Sequence, residues 1–383
     1  MNPAIIFLVF FVGTIGTVYV FIISLFTFGW FRKNKNRTAS QTQSSNISIV
    51  IAARDEENNI SACLTALASQ GYPTDKFEII IIDDASTDHT VQIVHEFIKA
   101  HKEIRTQLFS LPEKYRSATS KKAALSLGIQ LTQFDIIAVT DADCIPASGW
   151  IRAMANGFSE RTVMMICGMV CFSTDKKWFS KLQSLEFMSL VASGAGASGA
   201  GFPFMCNGAS MAFRKEAFYK TGAYSDSDGY ASGDDVFLLH NIKKAYGNSS
   251  VQFTNNKEAI VVTAPQPSLR AFYNQRVRWA SKSKGYHDII SLLTSVAVFA
   301  YSLEILLFAA AGMFFAPLFY AASALFILKL IVDIPLMASI TTYFGQKKLL
   351  LFYLPMQLLY PVYIVVVALG GIFGRYSWKG RKL

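Results

Sequence analysis

The chain has 383 residues, 52% of them hydrophobic and 16% charged, with a formal net charge of +10 at pH 7. Mean hydropathy is +0.33, above that of an ordinary soluble domain, which excludes a wholly water-soluble protein and places part of the chain in lipid. The basic excess collects partly at apolar flanks, in Arg32, Lys33, Lys35 and Arg37, in Lys347 and Lys348, and in Lys379, Arg381 and Lys382. No basic stripe with interleaved aromatics accompanies it, so nucleic acid is not an expected partner and anionic membrane lipid is.

Residues 3–31 carry no charge and are long enough to cross a bilayer, whereas a secretory signal has a basic start and a shorter apolar core. They are expected to be a retained transmembrane helix. Residues 32–45 form a basic and polar linker, with a Ser/Thr/Gln/Asn-rich run over 38–46. Flanking lysines and arginines mark the cytoplasmic side, which predicts an integral protein of the plasma (inner) membrane with its soluble body, residues 46–288, in the cytoplasm.

The body opens with an apolar run over 47–53, followed by a polar loop and helical spacing through Ile60, Leu64 and Leu67. The unit recurs at 77–82, which runs into Asp83-Asp84-Ala85-Ser86-Thr87-Asp88 and a helix carrying Val91, Val94, Phe97 and Ile98. Strand, helix and strand in that order predict a parallel, right-handed α/β arrangement. Ser86 or Asp88 can cap the second helix. A third run, 136–139, ends at Asp141-Ala142-Asp143. Ligands of open α/β sheets collect at the carboxyl edge, and two hard oxygen donors there suit Mg²⁺ or Mn²⁺ bound to a diphosphate. Read alone, the doublet is more often a solvated acidic turn capping a helix that begins near Ser148.

Cys63, Cys144, Cys167, Cys171 and Cys206 show no paired spacing, which fits a reduced compartment without structural zinc and makes Cys144 a packing residue. Residues 178–188 have helical spacing, as a membrane-surface helix or a core helix. The small residues of 192–201 are expected to form a mobile loop able to close over a ligand. Further apolar stretches cover 289–313, 316–344 and 349–373. They give a C-terminal membrane region, 289–373, of two or three spans, followed by a basic tail, 374–383. Three spans would put that tail outside, against the charge rule, unless the last stretch, with Pro355 and Pro361, re-enters. Glu304, Lys329 and Asp333 are the intramembrane charges, expected to stabilise one another or a lipid headgroup; a transporter would need more.

Taken in order, these motifs resemble the family 2 glycosyltransferases, and in particular the membrane-bound polysaccharide synthases. The resemblance implies a GT-A (Rossmann-like) nucleotide-sugar-binding domain flanked by transmembrane helices. It makes Ala52-Ala53-Arg54-Asp55-Glu56 the opening nucleotide loop, with Ala53 and Glu56 as donor-binding residues and Glu56 at the acidic position. Asp83 and Asp84 fall in the segment that holds uracil and ribose, with Ala85 where the family has glycine. Lys121, in Ser120-Lys121-Lys122-Ala123-Ala124-Leu125, lies near the phosphates, with Ser120 in place of glycine. Asp141 becomes a contact to the donor and Asp143 the metal ligand. Residues 206–214 resemble an acceptor-side segment. Gly233-Asp234-Asp235 is similar to a Gly-Glu-Asp motif whose last carboxylate, here Asp235, is the catalytic base. Gln275-Arg276-Val277-Arg278-Trp279 matches the Gln-x-x-Arg-Trp signature, in which Gln275, Arg278 and Trp279, with Asp234, meet acceptor or diphosphate.

The implied activity is inverting transfer from a nucleotide-sugar, a UDP-sugar, to a polysaccharide or other glycan in envelope or exopolysaccharide synthesis, with Mg²⁺ or Mn²⁺. Alternatives are a single transfer to a lipid-linked acceptor and a non-catalytic nucleotide-sugar-binding scaffold. Three C-terminal stretches offer little material for a secretion pore, so processive synthesis would call for a homo-oligomer or accessory envelope proteins.

Overall fold

A computed structural model describes residues 3–33, 45–116, 120–222, 233–374, 377–378 and 381–382. Most of the expected linker and part of the basic tail lie outside them. The helices and strands run in chain order as α1 (Pro3–Lys33), β1 (Ile47–Ala53), α2 (Ile60–Ala68), β2 (Phe77–Asp83), α3 (Thr90–Ala100), β3 (Arg105–Ser110), α4 (Ser120–Leu131) and β4 (Ile136–Val139). There follow β5 (Ile145–Pro146), α5 (Trp150–Asn156), β6 (Met165–Cys167), β7 (Val170–Phe172), α6 (Trp178–Gly199), β8 (Met211–Arg214), α7 (Lys215–Lys220) and α8 (Asp234–Tyr246). The last are β9 (Val251–Phe253), β10 (Val261–Thr263), α9 (Leu269–Ser281), α10 (Ile289–Gly312), α11 (Ala316–Tyr343) and α12 (Tyr353–Phe373). They form two compact units. One holds Lys33–Ser173 and Gly201–Pro265; the other holds Met1–Arg32, Thr174–Ala200 and Gln266–Lys382. The body expected over 46–288 thus contributes segments to both.

The first unit is built on a seven-stranded sheet of order β3-β2-β1-β4-β8-β6-β9. β1, β2, β3 and β4 run parallel, as the repeated strand–loop–helix pattern predicts, and β8 joins β4 antiparallel. Every residue of β2 is buried, and all of β1 except Ala52. That is why both strands are apolar along most of their length instead of alternating, with the buried polar side chains Ser48 and Glu78 hydrogen-bonded to one another at 2.6 Å: their two faces are covered, one of them by α4. A smaller sheet, β5-β10-β7, accompanies the main one.

The second unit contains α1, α6 and α9 to α12. Among the described residues four helices are long and apolar enough to cross a membrane, within Gly13–Arg32, Ile289–Gly312, Ala316–Tyr343 and Lys347–Phe373. α1 is built into this bundle: Tyr19, Phe26 and Trp30 are buried, Tyr19 stacks on Tyr301 with ring centroids 4.3 Å apart, and the Trp30 indole donates to Ser339 Oγ at 2.6 Å. Lys329 and Asp333, one turn apart on α11, pair at 2.5 Å. Asp333 also accepts from Tyr19 Oη at 2.8 Å and from Gln357 at 3.0 Å, while Lys329 donates to Gln357 Oε1 at 2.7 Å. Of the three charges Glu304, Lys329 and Asp333, the last two do pair with one another. Glu304 is buried, and neither carboxylate oxygen has a hydrogen-bond partner among the described residues.

The mobile loop expected over 192–201 is instead the continuous end of α6. Its small residues serve contact with α1. A methyl group at Gly196 would collide with the Phe26 carbonyl, one at Gly199 with the Gly29 carbonyl, and one at Gly29 with the Gly196 carbonyl. The absence of side chains at these positions is what lets the two backbones approach so closely.

Candidate active site

At the carboxyl edge of the main sheet, Ala53 ends β1 in register with Asp83 at the end of β2, and β4 ends two residues before Asp141. The loops that follow β1 and β2 are laced together. Asp55, in the left-handed region with φ 50°, donates its N–H to Ser86 Oγ at 3.0 Å and accepts from Thr87 N at 2.8 Å. Glu56 N donates to Thr90 Oγ1 at 2.8 Å and Glu57 N to Asp88 Oδ2 at 3.0 Å. Asp88 also accepts from Thr90 N at 3.0 Å, satisfying the start of α3, whereas Ser86 spends its hydroxyl on Asp55. Ala85, where the resembled motif has glycine, has φ 56°, a conformation that costs an L-residue about 1–2 kcal/mol.

Asp83 and Asp84 are both buried. Asp83 accepts from Ser86 N at 3.3 Å with each oxygen. Asp84 Oδ2 accepts from Ser120 Oγ at 2.5 Å and from Arg54 Nη1 at 3.4 Å, so Ser120, where the family has glycine, and Arg54 hold this carboxylate. Asp84 Oδ1 is buried with no hydrogen-bond partner among the described residues. Leaving such an oxygen dry and unpaired costs about 1–3 kcal/mol unless a ligand supplies the donor.

Lys121 ties the next two stations together. Its Nζ lies 2.7 Å from Asp141 Oδ1 and 4.0 Å from Asp234 Oδ2. Withdrawal from water opposes its charge, but Asp141, Asp234 and Asp235 outweigh that and raise its pKa. Lys122 is buried, its Nζ 5.7 Å from the centre of the Phe237 ring.

Asp141, Asp143 and Cys144 place one ligand atom each within 4.8 Å of one another. Burial, then the charges of Asp141 and Asp143, push the Cys144 thiol well up, so it stays protonated and donates to Asp143 Oδ1 at 3.4 Å. What remains for a cation is a pair of hard oxygens, a donor set that fits Mg²⁺ or Mn²⁺ better than a thiolate-seeking metal. Partial withdrawal from solvent, then Asp141 and Glu56, raise the Asp143 pKa; surplus negative charge of this kind favours a bound cation.

Asp234 and Asp235 form the first turn of α8, which Gly233 enters with φ 99°. Asp235 accepts from Gly208 N at 3.0 Å through Oδ2 and from Val236 N at 2.8 Å through Oδ1. Gly208 sits in the turn before β8, whose Met211 pairs with Val139 of β4. The turn and Asp235 are therefore held at the same edge as Asp141. The structure thus brings together Ala53, Glu56, Asp83, Asp84, Lys121, Asp141, Asp143, Asp234 and Asp235 in one unit.

Gln275, Arg278 and Trp279 lie on α9, in the other unit. The sequence reading passed over Arg276 between them. It is buried, with Nε 3.1 Å from both oxygens of Glu186 and Nη2 2.5 Å from Oε2. Tyr363 Oη donates to the same carboxylate at 2.7 Å. The available signal was Glu186 itself, a charge inside an apolar stretch.

A largely parallel α/β sheet that gathers paired carboxylates and a lysine at its carboxyl edge is a GT-A-like core, the architecture of sugar-nucleotide transferases. The chain belongs to the family 2 glycosyltransferases: the model described as "Glycosyl transferase family 2" matches residues 48–222 and that described as "Glycosyl transferase family group 2" matches 136–369. Its relatives include a beta-monoglucosyldiacylglycerol synthase of Nostoc, 31% identical over 144 residues that cover 38% of this chain and 30% of that protein. Another is the poly-beta-1,6-N-acetyl-D-glucosamine synthase of Staphylococcus epidermidis, 25% identical over 279 residues, 72% of this chain and 62% of that one. The chain thus spans less than two thirds of the length of these relatives. Among solved structures, the mannosyltransferase PcManGT of Pyrobaculum calidifontis, in complex with GDP-Man and Mn²⁺, superimposes with a TM-score of 0.61 at 17% identity, over 94% of this chain and 98% of that one; the likeness is one of fold.

Proposed function

We propose that this glycosyltransferase moves a sugar from a nucleotide-activated donor, a UDP-sugar, to a glycan acceptor with inversion at the anomeric carbon, and that it works at the plasma (inner) membrane. The observation that carries the reading is the meeting, at one sheet edge, of a buried carboxylate oxygen without a donor, Asp84 Oδ1, the Asp141–Lys121 pair and Asp235. A nucleoside supplies hydroxyl and ring N–H donors for Asp84. Lys121 receives the diphosphate. A divalent cation held by Asp143, with Asp141 beside it, would neutralise charge on the leaving diphosphate.

In the transfer itself the acceptor hydroxyl oxygen bonds to the anomeric carbon from the face opposite the diphosphate. The bond from that carbon to the phosphate oxygen breaks, and the electron pair leaves with the nucleoside diphosphate. Asp235 takes the hydroxyl proton. Two backbone N–H groups fix its carboxylate, so it enters the reaction already oriented. Asp234, Gln275, Arg278 and Trp279 are assigned to acceptor and diphosphate contacts.

The acceptor we favour is a growing polysaccharide, as the Gln-x-x-Arg-Trp signature and the polysaccharide synthase among the relatives suggest. A relative named for a glycosylated diacylglycerol supports the second reading, single transfer to a lipid-linked acceptor. The test is release of nucleoside diphosphate from a panel of UDP- and GDP-sugars, with and without chelator, followed by product length with radiolabelled donor. We expect one UDP-sugar to be turned over, chelator to abolish release, and Asp143→Ala to lose the metal response. Turnover that ignores chelator would refute the metal assignment.

A further inference from the structure

We infer that Glu186, through Arg276 and with Tyr363, positions the Gln-x-x-Arg-Trp helix, so that the variable second residue of the signature is the hub that aims the fixed ones. This deepens the proposed function and rests on Gln275 and Trp279 acting in transfer.

Arg276 touches two of the three signature side chains. Its Nη1 donates to Gln275 Oε1 at 2.5 Å. A guanidinium only donates, so the oxygen of the amide must face it and the amide NH₂ is the end left for a ligand oxygen. Its Cζ lies 4.2 Å from the centroid of the Trp279 ring and 4.6 Å from that of Phe272. The ion therefore bridges an amide and an indole one turn apart on α9, fixing the first by a charged hydrogen bond and the second by cation–π contact.

A buried guanidinium can do this only if its own position is fixed. Glu186 supplies a forked carboxylate from α6, and Tyr363 of α12 donates to Glu186 Oε1 at 2.7 Å, which stops that carboxylate from rotating. Three helices thus converge on one guanidinium. A lysine would carry the charge but not the fork. An ion pair replaced by apolar side chains of similar volume often costs no stability, so packing alone does not call for it.

The experiment measures kcat and donor KM for Glu186→Gln, Glu186→Asp, Tyr363→Phe and Arg276→Lys in the full-length chain, together with the emission of Trp279, isolated by subtracting the spectrum of the matched Trp279→Phe chain. Misplacement of a reacting group by about 1 Å costs up to roughly 100-fold in rate. Glu186→Gln is expected to lose at least about tenfold in kcat with donor KM within about twofold, and Arg276→Lys to fall likewise. Glu186→Asp should recover part of the rate, and the Trp279 emission should shift in step. Tyr363→Phe removes a single hydroxyl and keeps the test open if Glu186→Gln does not fold; it should lose about threefold in kcat.

A lower melting temperature with kcat and Trp279 emission unchanged would overturn the inference and leave the pair a packing element. Gln275→Ala and Trp279→Ala separate the two failures. If they abolish transfer while the Glu186 and Tyr363 variants are normal, positioning is wrong and the signature's role stands. If they too are normal, the role assigned to the signature falls and the inference with it.

Discussion

Asp235 is the residue on which the proposed chemistry turns. Asparagine preserves the shape but takes no proton, and its single oxygen can accept from only one of Gly208 N and Val236 N. Asp235→Asn is expected to lower kcat by about 10²–10⁴-fold while leaving donor affinity within about twofold, checked by nucleotide release and calorimetric donor binding; normal turnover would remove Asp235 from its role. Ala85 offers a test of the neighbouring loop. Glycine relieves the strain at φ 56° at some cost in unfolded-chain entropy, so Ala85→Gly should stabilise the protein by about 0.5–1 kcal/mol. A drop in thermal midpoint would show that Ala85 is held by contacts instead.

Elements differed in how far the sequence revealed them. β1, β2 and β4 were legible because a strand covered on both faces is apolar along most of its length, and because a charge ends or closely follows each. The places of Asp83, Asp84, Asp141 and Asp143 at or just after strand ends were legible for the same reason, whereas their roles rest on the resemblance. α6 was misread at its C-terminal end. Gly194, Gly196 and Gly199 suggest a loop when only local propensity is weighed, whereas the backbone of α1 passes so close that Gly196 and Gly199 admit no side chain. Likewise the partners of Arg276 come from α6 and α12, 90 residues before it for Glu186, and no local pattern announces a pair so distant. The roles of Arg54 and Ser120 in holding Asp84 were hidden for the same reason.

For the molecule as a whole, α1, one of the four described helices long and apolar enough to cross a membrane, is part of the bundle. Tyr19 completes the Lys329–Asp333 pair and Trp30 reaches Ser339. A chain begun after residue 33 should therefore melt lower in the same detergent, the Tyr19–Asp333 bond alone accounting for about 1.5–3 kcal/mol. An unchanged melting temperature would show that these contacts add nothing to the stability of the bundle.

Those same contacts bear on how the protein is made. The partners of Tyr19 and Trp30 lie 314 and 309 residues downstream. The packing of α1 thus cannot be completed as it is made: its Tyr19 and Trp30 contacts wait until α11 has been synthesised. Lys329 and Asp333 arrive together on one helix, and Tyr19 closes on them across that span of chain.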